Sequence, residues 1–570
     1  MKTLKIAIIS LLVGFTFASC EFLEKEPTKL TPENYFNTEE EAASFLTGIY
    51  ATISQQAFYG ADYMYLVAGD DMSHYGGSRG PADRGLICNN ATTSDATVTA
   101  LWYVLYAGIN RANMFLENID HVTGMSDAVK AQYIAEARFL RAFYYFTLVQ
   151  CWGDVPFKTS STQSVVGLDI PRTDRQTIYN FIVTEMADAA ETGLKSAAEL
   201  SYKPGRISQS TAWGILARVY LFRAGEYHRE KRNATQAETK DYYEQASFYA
   251  QKVIGAGHGL AENYWDFFID LCANRYNTTA NESIWEAEFA GNNTSDTQAE
   301  GRIGNFFGVP AKDFSSNSSI VGKADPGYCY GFIYSTPKLY NLYINNHDIE
   351  RFNWNIVPFT YVFTDNGVTG RTFELGKKAE VMAQYGPISY QYGDKDTENT
   401  SKTTNYSRPC GKFRREYEAD KKDKNYTSIN FPILRYSDVL LMIAEAENEA
   451  NDAPTKLAYT YLNDVRRRAG ITEYPETLSK EEFRQAVKDE RAMELCFEYT
   501  RRFDLIRWGE FVDNMQALVS QAQSGNAANW PQGQTNVYAY FNITDTYNYF
   551  PIPDAEMSVN KAITQNNPGW

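Results

Sequence analysis

The sequence is poor in the residues from which catalytic metal sites and nucleic-acid surfaces are built. Only five of its 570 residues are histidines, and they show no H-E-x-x-H spacing: His74, His121, His228, His258 and His347. Lys and Arg number 54 against 70 Asp and Glu, so the net charge is −16 and no dense basic cluster is available to bind phosphates. We therefore expect no catalytic metal, no cofactor and no nucleic-acid partner, while a structural calcium ion that braces a loop stays an open alternative.

Cysteines are also few, and their spacing excludes two common structural devices. The chain has seven, an odd number with no C-x-x-C pair: Cys20, Cys88, Cys151, Cys272, Cys329, Cys410 and Cys496. This pattern favours neither a disulfide framework nor a structural zinc site.

Long apolar runs are missing after the first twenty residues. At the start, Lys2 and Lys5 precede an apolar run from Ile6 to Phe17, which ends in small residues before Cys20. This order is typical of a secretory signal peptide, here residues 1–19. The run is too short to span a bilayer comfortably, so we expect a mature protein without a membrane-spanning helix.

Cys20 has a distinct predicted role. The segment Phe17-Ala18-Ser19-Cys20 resembles a relaxed bacterial lipobox, in which the cysteine becomes the acylated first residue of the mature protein. Several acyl chains hold a protein firmly at a membrane, because each buried methylene contributes about 0.8 kcal/mol. The resemblance implies a body that stays in water and is tethered by lipid.

Aromatic residues, in contrast, are abundant. The chain has 41 Tyr, 33 Phe and 9 Trp, together 15% of its residues. Tyr and Trp combine a flat apolar face with a hydrogen-bonding tip, which suits the faces and hydroxyl edges of sugars. The alternative for any single ring is packing inside an aromatic-rich helical core.

Helical periodicity dominates the first part of the chain. Thr38 and Glu41 form a capping box before an amphipathic helix that runs to Ile53, and a second helix is predicted over Ala96 to Asn118. Residues Ala128 to Cys151 are apolar nearly all round, which predicts an inner helix covered by neighbours.

The helices pair as in tetratricopeptide repeats. Trp213-x-x-Leu216-Ala217-x-x-Tyr220 fits the first helix of such a repeat, and residues 242–253 supply the second. Similar pairs are predicted at 135–145 with 178–190 and at 439–450 with 457–469. The sequence therefore predicts a mainly α fold of about four helix pairs, over residues 38–256 and 436–510 of a single body, 20–570.

Between these repeats lies an insertion at about 257–435, where helical periodicity fades and Asn, Gly, Ser and Tyr dominate. We expect an irregular, loop-rich subdomain with short strands, one of them over Ser283 to Phe289. Ser479 and Glu482 then cap a last long helix through Tyr499, before a C-terminal segment at about 511–570.

Two patterns raise the possibility of an enzyme. Residues 76–80 fit G-x-S-x-G, but Pro81 follows where a nucleophile elbow needs a helix. Glu490, Glu494 and Glu498 lie on one helix face with Arg491, Arg501 and Arg502 nearby, which favours an ion-pair network between repeats over a glycosidase acid and base. The same interpretation applies to Glu286 and Glu288. We predict that the protein is not an enzyme.

Four segments together resemble the SusD/RagB family of Bacteroidetes nutrient-uptake lipoproteins. They are CEFLEKEP at 20–27, AEARFLRA at 135–142 with WGDVP at 152–156, ERAMEL at 490–495 with DLIRWG at 504–509, and NNPGW at 566–570. The resemblance implies helical repeats with an irregular domain, anchoring at the outer membrane facing the exterior, and association with a SusC-like TonB-dependent transporter that imports captured oligosaccharide.

The predicted function is therefore capture of an oligosaccharide or polysaccharide at the cell surface. The predicted glycan-binding surface combines an early loop with aromatics of the insertion: Asp70, Asp71, Arg79, Arg84, Trp102, Trp265, Tyr328, Tyr330 and Tyr334. Rings stack on sugar faces while carboxylates and guanidiniums bond hydroxyl groups. Two alternatives stay open, namely a structural or adhesive repeat protein that binds a polypeptide, and a surface glycoside hydrolase.

Overall fold

Helices account for most of the chain that the structure, a computed structural model, describes. The described residues are 35–76, 85–164, 166–229, 236–290, 301–314, 325–365, 367–373, 395–398, 408–418, 423–523 and 541–570. The predicted signal peptide, the lipobox cysteine Cys20, the candidates Arg79 and Arg84, and residues 77–80 of the G-x-S-x-G pattern lie outside them.

The first half of the body is built from long helices and three very short strands. In chain order these are α1 (Glu39–Ser54), α2 (Asp62–Val67), β1 (Ser73–Tyr75), α3 (Ala96–Asn118), α4 (Asp127–Trp152), β2 (Val155–Pro156), β3 (Arg172–Thr173), α5 (Arg175–Thr192), α6 (Gln209–Arg229) and α7 (Gln236–Ile254).

The second half alternates short helices and strands before it returns to longer helices. These are α8 (Tyr264–Cys272), β4 (Ser283–Ala287), α9 (Ile303–Phe306), β5 (Ile333–Ser335), α10 (Pro337–Asn346), α11 (Ile349–Asn355), β6 (Phe359–Thr364), β7 (Gly367–Phe373), β8 (Lys395–Glu398), β9 (Phe431–Arg435), α12 (Tyr436–Ala450), α13 (Lys456–Arg468), α14 (Lys480–Leu495), α15 (Arg501–Trp508), α16 (Phe511–Gln523) and α17 (Asp554–Val559).

The long helices pack on their neighbours in one continuous stack. Helix α3 packs on α1 and α4, α4 on α5, α5 on α6, α6 on α7, α7 on α12, and α12 on α13 and α14. The three predicted helix pairs are confirmed as α4 with α5, α6 with α7, and α12 with α13. Every residue of α4 from Phe139 to Trp152 is buried, as its all-round apolar sequence predicts.

The two predicted capping boxes are present, but α14 is shorter than expected. Thr38 with Glu41 and Ser479 with Glu482 bond reciprocally to each other's backbone N–H groups. Helix α14 ends at Leu495 and not at Tyr499, because Phe497 and Tyr499 adopt left-handed backbone conformations with φ of 60° and 59°. A right-handed helix cannot continue through such residues.

The insertion contains helices as well as strands, so the prediction of loops and strands alone is wrong. Helix α8 buries Tyr264, Phe267, Phe268 and Leu271, a spacing of i, i+3, i+4 and i+7 over only nine residues. Such a short stretch gives a weak helical signal. The predicted strand is confirmed as β4, which pairs antiparallel with β9 at the far end of the insertion.

A buried ion-pair cluster joins the insertion to the repeats. Glu490 bonds Arg351 and Arg466 at 2.7 and 2.8 Å, and Glu494 bonds Arg351 and Arg435 at 2.8 and 2.6 Å. The predicted ion-pair network is thus confirmed, with partners from α11, β9 and α13. Arginines that are close to these glutamates in sequence bond other residues. Arg491, for example, pairs with Asp438.

The C-terminal segment is joined to the end of helix α4 by hydrogen bonds. We call this segment the strap. The Trp152 indole Nε1 donates to the Pro551 carbonyl at 2.9 Å, and Asn567 Nδ2 donates to the carbonyls of Trp152 and Phe550 at 3.0 and 2.8 Å. Trp570 Nε1 donates to the Tyr549 carbonyl at 3.0 Å. Within the described ranges, no helix combines the length and apolar character needed to cross a membrane.

Candidate functional site

The early loop and the insertion meet at a two-stranded sheet. Strands β1 and β5 pair antiparallel, with His74 opposite Tyr334 and Tyr75 opposite Ile333. The pairing continues as Gly76 N donates to the Phe332 carbonyl at 2.8 Å. The candidate Tyr334 therefore lies on the strand that pairs with β1, and its ring lies beside Gly76.

An aromatic ridge, which we define as Arg302, Phe306, Tyr328, Tyr330 and Phe332, stands on this sheet. The Tyr330 and Phe332 rings are stacked, with centroids 4.9 Å apart and planes 10° from parallel. Tyr328 meets Tyr330 at 4.9 Å and 65°, and Phe306 meets it at 6.1 Å and 66°. Tyr330 has 40% of its surface exposed, so the ridge presents a supported ring to solvent.

Backbone and amide hydrogen bonds hold the ridge in place. Tyr330 N donates to the Asn305 carbonyl at 2.8 Å, while Asn305 Nδ2 donates to the Tyr328 carbonyl at 3.3 Å. Arg415 Nη1 donates to the same Tyr328 carbonyl at 2.8 Å, and its side chain is buried. These contacts position the rings before any ligand arrives, which reduces the ordering cost of binding.

Polar groups frame the ridge. The Arg302 guanidinium lies 4.3 Å from the Phe306 ring centre, and Lys424 Nζ lies 5.6 Å from that of Tyr328. Partial burial and a hydrogen bond with the Tyr330 hydroxyl raise the pKa of Tyr328 to about 12. At neutral pH the Tyr328 hydroxyl is protonated and can donate as well as accept.

Tyr334 lies on β5, two residues after Phe332, and is half-buried. A Cβ at Gly76 would lie 2.1 Å from the Tyr334 ring, so the backbone of residue 76 packs directly on that ring. Burial raises the pKa of Tyr334 to about 12. Its position indicates a supporting role more than direct contact with a ligand.

The two candidate tryptophans face the core. Trp102 is 1% exposed and packs edge-on against Trp152 with ring centroids 5.2 Å apart. Trp265 is 9% exposed on α8, so the prediction that it is an exposed aromatic of the insertion is wrong. Both lie on the apolar stripes of their helices, and burial of those stripes outweighs exposure of the rings.

Asp70 and Asp71 are buried, and both form hydrogen bonds or ion pairs with other groups of the chain. Asp71 bonds Arg501 Nε at 2.8 Å and Lys338 Nζ at 2.6 Å. Burial opposes its ionisation, but these cations outweigh burial and lower the pKa of Asp71 to about 2. Asp70 Oδ1 accepts hydrogen bonds from the Met72 and Ser73 amides, both at 2.8 Å. Neither carboxylate is accessible to a ligand.

Asp70 makes stability depend on pH. Burial and the neighbouring Asp71 raise the pKa of Asp70 to about 7, so the folded state favours its protonated form. The contribution of Asp70 to the free energy of unfolding is fully present below pH 4 and is lost as the pH rises toward 7. We expect Asp70→Asn, whose Oδ1 keeps the amide hydrogen bonds, to increase the free energy of unfolding by about 2 kcal/mol at pH 8 and little at pH 4.

Urea unfolding at pH 4, 6 and 8 measures this difference, with the exposed Asp452→Asn as control. An equal effect of Asp70→Asn at all three pH values would contradict the assignment.

Phe306, Phe332 and Arg302 are absent from the predicted site. A signal for Phe332 is present in the sequence, since Tyr328, Tyr330, Phe332 and Tyr334 are aromatic at every second position. On a strand, side chains at every second position lie on the same face. No comparable signal marks Arg302 and Phe306, which reach the ridge only through the tertiary fold.

Comparison with known proteins agrees with this architecture. The SusD family profile matches residues 281–570, and a second profile, described as "Starch-binding associating with outer membrane", matches residues 21–221. SusD-like protein P25 of Formosa agariphila is 25% identical over all of this chain and 99% of its own. Starch-binding protein SusD of Bacteroides thetaiotaomicron is 24% identical over 80% of this chain and 76% of its own.

Solved structures share the fold. A SusD homologue from Bacteroides thetaiotaomicron has a TM-score of 0.78 and 27% identity, covering 95% of this chain and 98% of its own. Surface glycan-binding protein A of the same species, solved with laminarihexaose, has a TM-score of 0.63 and 20% identity, covering 93% and 100%. With a family match over half of its length, and the helical repeats observed here, the chain belongs to the SusD family.

Proposed function

We propose that the protein is a cell-surface lipoprotein that binds an oligosaccharide on the aromatic ridge and delivers it to a SusC-like TonB-dependent transporter. The observation that carries the proposal is the exposed Tyr330 ring, stacked on Phe332 and fixed by backbone hydrogen bonds. A fixed ring offers an apolar face to a sugar, while nearby hydroxyl and guanidinium groups bond its edge.

The relatives support a glycan ligand. One is named as a starch-binding protein, and one structural neighbour was solved with laminarihexaose. Starch and laminarin are both glucans, so laminarihexaose and maltohexaose are suitable probes for this chain.

Anchoring and delivery complete the proposal. We infer that Cys20 is acylated and holds the body at the exterior of the outer membrane, in line with the membrane association in the family description. Mass spectrometry of the mature amino terminus tests this, since an unmodified Cys20 would exclude the anchor. Copurification with the transporter barrel tests delivery, and its failure would favour a capture protein that acts alone.

The proposal excludes catalysis by the glutamates of α14. Glu490 and Glu494 are 0% exposed and form ion pairs with arginines. A glycosidase holds two carboxylates on either side of an accessible sugar. Arginine pairing and burial deny a polysaccharide access to these groups.

Tyr330→Ala tests the function directly. Loss of the exposed ring should weaken binding of a hexasaccharide about tenfold, because aromatic contacts of this kind contribute about 1 kcal/mol or slightly more. Tyr330→Phe should retain most of the affinity, since the stacking face remains. Isothermal titration calorimetry with laminarihexaose and maltohexaose measures both.

The control is Tyr103→Ala, which removes another exposed tyrosine, 44% exposed on α3, away from the ridge. Equal losses for Tyr330→Ala and Tyr103→Ala, or no loss for either, would remove the ridge from the binding site.

A further inference from the structure

A second concave surface lies apart from the ridge. It is an open cleft of about 780 Å³ between α1, the turn at 203–206, residues 274–276 and the chain from the end of β4 to residue 290. None of the ridge residues lines it. Its size is in the range of pockets that hold small organic ligands.

Tyr276 forms the exposed aromatic wall of the cleft. Its side chain is 37% exposed, and its hydroxyl donates to Glu288 Oε1 at 2.8 Å. The Glu288 carboxylate lies against Gly205, where a Cβ would come within 2.1 Å of Oε2. The absence of a side chain at residue 205 therefore lets the carboxylate lie beside the ring.

The opposite wall offers hydrogen-bonding groups whose charges are already balanced. Tyr50 OH donates to Glu136 Oε2 at 2.6 Å, and Arg206 Nη2 lies 2.9 Å from Glu136 Oε1. The Arg206 side chain keeps 42% of its surface exposed, and its guanidinium lies 5.8 Å from the Tyr133 ring centre. Aromatic and guanidinium groups thus face the cleft from this side too.

A third carboxylate lies at the base. Glu286 accepts from Ser283 Oγ at 2.5 Å and from Asn430 Nδ2 at 2.9 Å, partners that differ from the ion pair expected from its sequence position. Burial raises the pKa of Glu286 to about 7. Glu136 is paired with Arg206 at 2.9 Å and Lys203 partly offsets the charge of Glu288, so the cleft favours no strong ligand charge.

The exposed Tyr276 ring, the ion pair of Arg206 with Glu136 and the Glu288 carboxylate together fit a neutral polyhydroxylated ligand. We propose that the cleft is a second glycan-binding site, which takes a stretch of neutral sugar residues against Tyr276 and Glu288. This inference rests on the proposed function, because it assumes that the ligand is a glycan.

Two sites would change how the protein holds polymers. A hexasaccharide would bind each site independently, whereas a polysaccharide long enough to reach both would gain avidity through the high effective concentration of its second segment. The stoichiometry with short glycans therefore distinguishes a second site from an extension of the ridge.

The test is calorimetry of the full chain, freed of its signal peptide and acyl group, with laminarihexaose and maltohexaose. We expect two sites of full affinity for the unsubstituted protein, one for Tyr276→Ala, one for Tyr330→Ala and none for the double variant, because loss of a ring weakens its own site about tenfold. Tyr276→Phe should keep the site with its affinity reduced about tenfold or less, because the ring remains and one hydroxyl is lost. Tyr103→Ala serves again as control.

The outcomes separate the two proposals. A single site that Tyr330→Ala weakens and Tyr276→Ala leaves unchanged would overturn the cleft and support the ridge. A single site that only Tyr276→Ala weakens would support the cleft and overturn the ridge. Failure of the unsubstituted protein to bind either hexasaccharide would overturn both. Unchanged melting temperatures of the variants confirm that folding is not the cause.

Discussion

Arg435→Met should lower the free energy of unfolding by about 3–5 kcal/mol, because it leaves buried carboxylates without a cation. Arg435 Nη1 bonds Glu494 at 2.6 Å and Glu282 at 3.0 Å, and Nε bonds Glu498 at 2.7 Å. All four side chains are buried. Methionine fills a similar volume but leaves these carboxylates with one cation fewer.

The charge balance of the cluster explains the size of the effect. It joins five carboxylates to five cations: Asp348, Glu282, Glu490, Glu494 and Glu498, with Arg351, Arg435, Arg466, Arg468 and Lys412. Removal of one arginine leaves an uncompensated negative charge out of water, which is costly because the surroundings cannot solvate it.

Two further variants make this prediction sharp. Arg467→Met removes a surface arginine that is 59% exposed and paired with Asp464 and Glu473, and it should cost less than about 1 kcal/mol. Glu498→Gln added to Arg435→Met restores the charge balance and should recover part of the loss. Urea midpoints measure all three, and similar values for Arg435→Met and Arg467→Met would refute a buried-charge mechanism.

Gly225→Ala should destabilise the protein by about 3 kcal/mol. Gly225 lies where α6 crosses α15, and a Cβ there would be 2.2 Å from the Arg507 carbonyl oxygen and 2.7 Å from its carbon. Because these are backbone atoms, no rotamer change relieves the clash and the two helices must separate. The better helix propensity of alanine, about 1 kcal/mol, offsets only part of this cost.

Gly255→Ala is the matched control. Nothing lies within 4 Å of a Cβ built at Gly255, and its backbone is not in the left-handed region. The substitution should change stability by no more than about 0.5 kcal/mol. Thermal melts followed by circular dichroism measure the stability of both variants. An unchanged melting temperature for Gly225→Ala would contradict the close packing of α6 on α15.

The repeat helices were predictable because their signals are long and local. Helix α3 runs over Ala96–Asn118 as its periodicity predicts, and the capping boxes at Thr38 and Ser479 need only residues three positions apart. The insertion lacked such signals. Its helix α8 has nine residues, too few for a periodic pattern to separate it from a buried strand.

The candidate site was predictable only in its location. The sequence pointed to an early loop and to aromatics of the insertion, and strands β1 and β5 bring these regions together. Which rings are exposed depends on tertiary packing that no local pattern records, so buried Trp102 and exposed Tyr330 look alike in sequence. The buried carboxylate Asp71 likewise finds its partner far along the chain, in Arg501.

The strap formed by residues 541–570 affects the order in which the body can be completed. Trp152 finds its indole acceptor at Pro551, and its carbonyl finds a donor at Asn567. The carboxyl end of helix α4 therefore completes these hydrogen bonds only when a segment about 400 residues further along the chain has folded onto it.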